Sequence, residues 1–256
     1  MLYFLLAFAA TAFGAATGMG GGIFMKPVLD LVGRQDVASI SVLSSATVFV
    51  MALITLVRRR KVPERPAAGI AVPLSAGAVA GGFFGEKLFG ILVDSAPLGN
   101  VKITQNAILI GLIAVVIVYM IIKNKAPSLG IAGKAPSFAA GSILGLISSF
   151  LGIGGGPVNV ALIVFAFGFT IKMAMQCSLF TILFSQGSKL ITVVLVSNTY
   201  TYDLSMLPVM IAGGAVGGFV GSALNARLDA KSCDVLFCIA QAVVILICVL
   251  NIAKNL

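Results

Sequence analysis

The chain contains no histidine, so the usual zinc and haem sites have lost their commonest ligand. It has four cysteines, Cys177, Cys233, Cys238 and Cys248, with no C-x-x-C pair among them. All four lie in or at the edge of apolar segments. They read as small core residues rather than a disulfide frame or metal centre. No cofactor and no metal is expected. Charge is scarce too: 10% of residues are charged, against about 25% in an average soluble domain. With 59% hydrophobic residues and a mean hydropathy of +1.12, too little polar surface remains to cover a soluble globule.

Long apolar runs are what the chain has instead. Stretches 37–57, 101–122 and 233–253 each reach the roughly 18–20 residues that span a bilayer. The expected class is an all-α polytopic membrane protein of the cell (inner) membrane, surrounded by lipid. The apolar start, residues 1–18, has no basic n-region, and is read as part of the fold rather than a cleaved signal. The net charge of +9 gathers in short loops, "RRRKVPER" at 58–65 and "KNKAPSLGIAGK" at 123–134. That is the pattern of cytoplasmic loops, and no nucleic-acid partner is expected.

The chain repeats itself. "GMGGG" at 18–22 returns as "GIGGG" at 152–156, 134 residues later, and "AGAVAGGFFGEKL" at 76–88 returns as "AGGAVGGFVGSAL" at 212–224, offset by 136. The ends "IIKN" and "IAKN" match as well. Two copies of one unit are expected, residues 1–125 and 136–256, joined by a cytoplasmic linker at 126–135. Together they form one transmembrane domain. Each copy opens with an apolar segment (2–17; 136–150), the glycine run and a second short segment (23–33; 157–169). Three longer segments follow: 37–57, 67–89 and 101–122, then 172–197, 205–225 and 233–253. Eleven to thirteen residues make about 16–20 Å of helix, short of a hydrocarbon core of roughly 30 Å. Each short pair therefore reads as a hairpin or broken helix whose bare backbone is buried in protein or lines a wet cavity.

Placing 58–65 and 123–134 inside leaves 93–100 and 197–203, which carry no Lys or Arg, outside, and puts Arg227 and Lys231 inside. Matching loops then lie on opposite faces, as five segments per copy demand. Arg34 and Lys254 run against this bias. Inverted repeats with broken helices meeting near the midplane are a transporter plan.

The glycine runs do not fit the dinucleotide fingerprint, because the sixth position holds Ile23 or Pro157 and no βαβ unit surrounds it. They suit a sharp turn followed by a helix N-terminus, with its unpaired donors and positive dipole end, and Pro157 suits a first helical turn. Two such starts can face one anion. Close helix packing is the competing explanation, and is preferred for "GGFFG" and "GGFVG". The stretch "CSLFTILFSQGSKLIT" puts Ser178, Thr181, Ser185, Ser188 and Thr192 on one helix face, with Lys189 one turn after Ser185. The repeat aligns Ser44 with Ser178, Thr47 with Thr181 and Thr55 with Lys189. An intramembrane lysine beside hydroxyls suits an anion. Hydroxyl back-bonding and lysine snorkelling are the alternatives. The expected substrate-binding set is Gly20, Gly21, Gly22, Gly154, Gly155, Gly156, Asn159, Ser44, Thr47, Ser178, Thr181, Ser185, Gln186 and Lys189. Glu86, within an apolar stretch, is either a coupling-proton carrier or a cap at the outer end of its helix. Asp30 is a weaker candidate.

The doubled G-x-G-G-G, the Ser/Thr-bearing helix after the second run and the G-G-F-x-G stretches resemble the TauE/SafE sulfite-exporter family of bacterial and archaeal transporters, also described as toluene-sulfonate uptake permeases. The resemblance covers nearly the whole chain. It departs in one place: the family's proline five residues after the last glycine is present as Pro27, but Ala161 stands in the second copy. The resemblance implies movement of sulfite, sulfonates or related sulfur-containing anions. The expected function is a proton-coupled secondary transporter working by alternating access, possible as a homo-oligomer. A passive anion channel, or a carrier of another small organic anion, is the alternative. With no His, no buried carboxylate pair and no nucleophile–base spacing, an enzyme is not expected.

Overall fold

The computed structural model describes residues 1–32, 36–59, 68–95, 98–123, 128–151, 153, 155–196 and 202–255. Among them the backbone forms ten helices and no strand: α1 (Leu2–Thr17), α2 (Gly22–Val32), α3 (Val37–Arg58), α4 (Ala68–Ser95), α5 (Leu98–Ile122), α6 (Lys134–Leu151), α7 (Gly156–Phe167), α8 (Ile171–Val196), α9 (Leu207–Arg227) and α10 (Ala230–Asn255). Seven of them, α3, α4, α5, α6, α8, α9 and α10, are long and apolar enough to cross a membrane. The protein is a multi-pass protein of the cell membrane. Large apolar side chains such as Val115, Ile121, Val194, Leu195 and Leu246 cover its outside, as a lipid solvent requires.

The short helices sit where the glycine runs place them. α2 has 11 residues and α7 has 12, about 16–18 Å of rise. α6 is longer than the segment read from the sequence. It begins at Lys134 and reaches 18 residues, about 27 Å, because Pro136 fits its first turn and Ser137 Oγ donates to the Gly133 carbonyl at 2.7 Å. α4 runs to Ser95, well past the expected end at 89. Of the loops that carry the orientation, 58–65 and 197–203 fall largely outside the described residues, as do 96–97, 124–127 and Arg34.

Lipid gives helices no hydrophobic reason to associate, so close packing has to do it, and small residues permit that. α1 lies along α9: a Cβ on Gly213, Gly217 or Gly221 would run into the backbone of Phe4, Phe8 or Ala12 in turn. α6 lies along α4 in the same way, with Gly77, Gly81 and Gly85 against Phe138, Ser142 and Leu146. In both pairs the contacts ascend together, so the helices run parallel. The "GGFFG" and "GGFVG" stretches thus pack helices.

The larger helix contacts come in matched pairs when α1–α5 are exchanged for α6–α10. α1 on α9 matches α6 on α4, α3 on α9 matches α8 on α4, and α2 on α10 matches α7 on α5. α3 meets α8, and α5 meets α10, across the middle. Cys177, Cys233 and Cys248 are buried, Cys238 is half-buried, and all four are free thiols.

Candidate functional site

Glycines with positive φ shape both breaks. α1 closes on Gly18 with φ 68°, and Gly20 follows at φ 77°; Gly155, the N-cap of α7, takes φ 106° and Gly156, its first residue, φ 60°. Side-chain-bearing residues adopt these angles only under strain, so the turns need glycine. The two breaks meet. The space a Cβ would take on Gly22 is filled by the Ile153 carbonyl, and a Cβ on Gly156 would lie 3.2 Å from Ile23 Cδ1. α3 and α8 flank the junction. Ser44 Oγ is 3.3 Å from the Cβ position of Gly22, while α8 passes Gly18 with Met175 and Gly155 with Ile182. Ser178 lies between those two residues on α8.

Three buried side chains here lack hydrogen-bond partners among the described residues. Asn159, in the first turn of α7, is 0% exposed and neither its Oδ1 nor its Nδ2 is bonded. The hydroxyls of Ser44 and Ser178 are in the same condition. Leaving a buried donor or acceptor unsatisfied costs about 1–3 kcal/mol, so such groups are rare and point to a polar partner from outside the chain. Of the sequence-derived set, Gly20, Gly21, Gly22, Gly155, Gly156, Asn159, Ser44 and Ser178 gather at this junction. Gly154 lies outside the described residues.

The other hydroxyls turn elsewhere. Thr47 Oγ1 donates to the Leu43 carbonyl at 2.8 Å and its methyl packs on Gly214 of α9. Thr181 Oγ1 donates to Cys177 O at 3.0 Å, and Ser185 Oγ to Ile182 O at 3.2 Å. These are back-bonds within a helix. Ser185 and Gln186 sit further along α8, where α8 passes Gly82 and Ser149. Ser188 and Thr192 are only half-buried, and Ser188 Oγ donates to Val79 O of α4 at 3.4 Å.

Lys189 is fully buried, and it is not a free cation. Its ammonium pairs with Glu86 Oε2 at 2.9 Å and donates to Ser41 Oγ at 2.6 Å. The sequence placed Lys189 and Glu86 in separate roles; α8 and α4 bring them together. One turn beyond Glu86, Phe89 offers its ring to two ammonium groups: Lys189 Nζ at 5.6 Å from the centroid and Lys26 Nζ at 5.5 Å.

Lys26 escaped the sequence reading. It is 3% exposed, donates to Leu151 O and to Gln105 Oε1, both at 2.6 Å, and so holds the last carbonyl of α6. Gln105 Nε2 donates to the neighbouring Phe150 O at 2.9 Å. A cation at a helix C-terminus is electrostatically favoured. The available signal was a lysine within an 11-residue helix that follows a glycine run. Asp30, one turn on, lies 3.9 Å from Lys102. At the other break the carbonyls of α1 are held by Arg59, Nη2 to Ala15 O at 2.9 Å, and by the Asn225 amide on Ala16 O. Both broken helices thus have their orphan carbonyls capped by side chains.

The model of the sulfite exporter TauE/SafE family matches residues 3–249, nearly the whole chain, and the protein belongs to that family. No curated protein and no solved structure matches it.

Proposed function

From this family of membrane transporters for sulfite and related sulfur anions, we propose that the protein is a proton-coupled secondary transporter that binds one small sulfur-containing anion where its two glycine breaks meet. One observation carries the reading: the unbonded amide of Asn159 and the unbonded hydroxyls of Ser44 and Ser178, all fully buried, at the junction of two helix N-termini. Hydroxyls and an amide Nδ2 are donors, and the starts of α2 and α7 add backbone N–H groups and positive dipole ends. Sulfite and sulfonate groups present three acceptor oxygens, which such a donor set suits. Ser44 and Ser178 are repeat-related, so each half supplies one hydroxyl. The matched helix contacts support two inverted units, 1–125 and 136–256, that exchange conformations in alternating access. Glu86, half-buried and paired with the buried Lys189, is the proton-carrying group in this scheme.

Uptake of radiolabelled sulfite, taurine and sulfoacetate into proteoliposomes, with and without a pH gradient, tests this. Saturable, gradient-dependent flux of one anion is expected, with its KM raised by about tenfold in Asn159→Ala, which removes the amide donor. Flux that does not saturate identifies a passive channel instead. No flux of any of the three rejects a sulfur-anion transporter.

A further inference from the structure

The pairing of Lys189 with Glu86 and Ser41 has the chemistry of an occupied anion site. The ammonium holds a carboxylate, itself an anion on a short tether, and donates to a hydroxyl beside it. The groups that face Glu86 are Lys189 from α8, Lys26 from α2 and Tyr202 from the segment leading into α9; Asp36 caps α3 on Ser39 N, and Lys87, next to Glu86 on α4, lies over the Phe83 ring. Counting Lys26, Lys102 and Lys189 against Asp30 and Glu86, the cluster carries one surplus positive charge. It is also continuous with the junction of the breaks. Ser41, the partner of Lys189, is three residues from Ser44 on α3, a rise of about 4.5 Å, and Lys26 holds the tip of α6 at Leu151.

We infer that Glu86 is a tethered competitor of the transported anion: the anion takes Lys189 from it, and the displaced carboxylate takes up one proton from water. This rests on the transporter reading above. No covalent bond to the anion forms. The Lys189–Glu86 ion pair breaks, a Lys189–anion pair forms, and one solvent proton ends on the Glu86 carboxylate. Charge decides that the proton must follow. If a dianion displaced an ionised Glu86, the surplus of one positive charge would become one negative charge, with a bare carboxylate left in an apolar segment. With the proton, the cluster ends neutral. A half-buried carboxylate without its counter-ion, beside a net negative cluster, is costly, and the second outcome avoids that cost. The exchange therefore ties one proton to each anion at the site where the anion is held.

Sulfite binding to the purified full-length protein, measured by titration calorimetry at alkaline pH where sulfite is already the dianion, tests this. Buffers of different ionisation enthalpy report the protons taken up. The wild-type protein is expected to take up one proton per sulfite and to lose affinity roughly tenfold per pH unit. Glu86→Gln is expected to bind sulfite about tenfold more tightly, because the competitor is gone, with no proton uptake and no pH slope. A residue that only supports the fold does not tighten binding when it is removed. Wild-type binding without proton uptake overturns the inference while leaving the transporter reading intact, and that measurement needs no variant to fold. Glu86→Gln binding that is weaker, or still linked to a proton, overturns it as well. If the wild-type protein binds no sulfite at any pH and moves no sulfur anion, the transporter reading falls and this inference falls with it.

Discussion

At the first break, α1 ends with its carbonyls held by Arg59 and Asn225; at the second, α6 ends with its carbonyls held by Lys26 and Gln105. The glycines that shape the two turns repeat, but the side chains that close them do not. The repeat sets Thr55, Ser222 and Asn225 near the first break in the places that Lys189, Glu86 and Phe89 hold near the second. Thr55 and Ser222 bond backbone carbonyls, Gly218 O and Phe219 O, and carry no charge. At these matched positions the second break holds an ion pair and the first none; the cation at the first break, Arg59, bonds a carbonyl of α1 instead. Duplicated backbone and unduplicated charge is what a transporter needs if one anion is to be bound symmetrically by shape and coupled to protons on one side only.

The comparison can be broken at the ion pair, where the largest effect is expected. Lys189→Ala leaves Glu86 without its counter-ion, and a loss of about 3 kcal/mol is expected as a lower thermal midpoint in detergent. The double change Glu86→Ser with Lys189→Thr makes the second break resemble the first. It is expected to recover most of that stability while sulfite uptake no longer responds to a pH gradient. Recovery of gradient-driven uptake in the double variant would show that the charge asymmetry is unrelated to coupling. Next in size is the packing of the long pairs. Gly81→Ala and Gly217→Ala each push a methyl into a neighbouring backbone, α6 or α1, and about 1–3 kcal/mol is expected for each. Similar losses sharpen the view that α4·α6 and α1·α9 are the same contact used twice; a neutral result at one breaks it.

Two smaller effects test the junction. Ser44→Ala and Ser178→Ala remove the repeat-related hydroxyls, and each is expected to raise the uptake KM about three- to tenfold, the worth of one hydrogen bond. Unequal effects would show that the anion sits nearer one half. Thr47→Val keeps the shape that packs on Gly214 and removes only a back-bonded hydroxyl, so uptake and thermal midpoint are expected to move by less than about 0.5 kcal/mol. A large loss of uptake there would return Thr47 to the binding set.

Helix positions were legible because lipid imposes a length and the glycine runs interrupt it. The segments read at 37–57 and 101–122 lie within α3 and α5. Ser44, Ser178 and Asn159 were legible as polar residues near a repeated break. Their lack of partners was not, since spacing along one helix says nothing about what the next helix offers. Thr47 and Thr181 show the limit. Their spacing is the same as that of the binding candidates, yet each hydroxyl bonds its own helix.

The sequence alone determined the membrane class and the two interruptions, because these follow from composition, segment length and local backbone freedom; the family rests on the motifs it resembles and the family match. Only the tertiary structure decided that Glu86 and Lys189 share one ion pair, that Lys26 closes α6, and that the two breaks touch. Those contacts join residues 103, 125 and about 130 positions apart. A charge in an apolar helix must find a partner, but the partner is chosen by how helices pack, and no periodicity within a single segment records that choice.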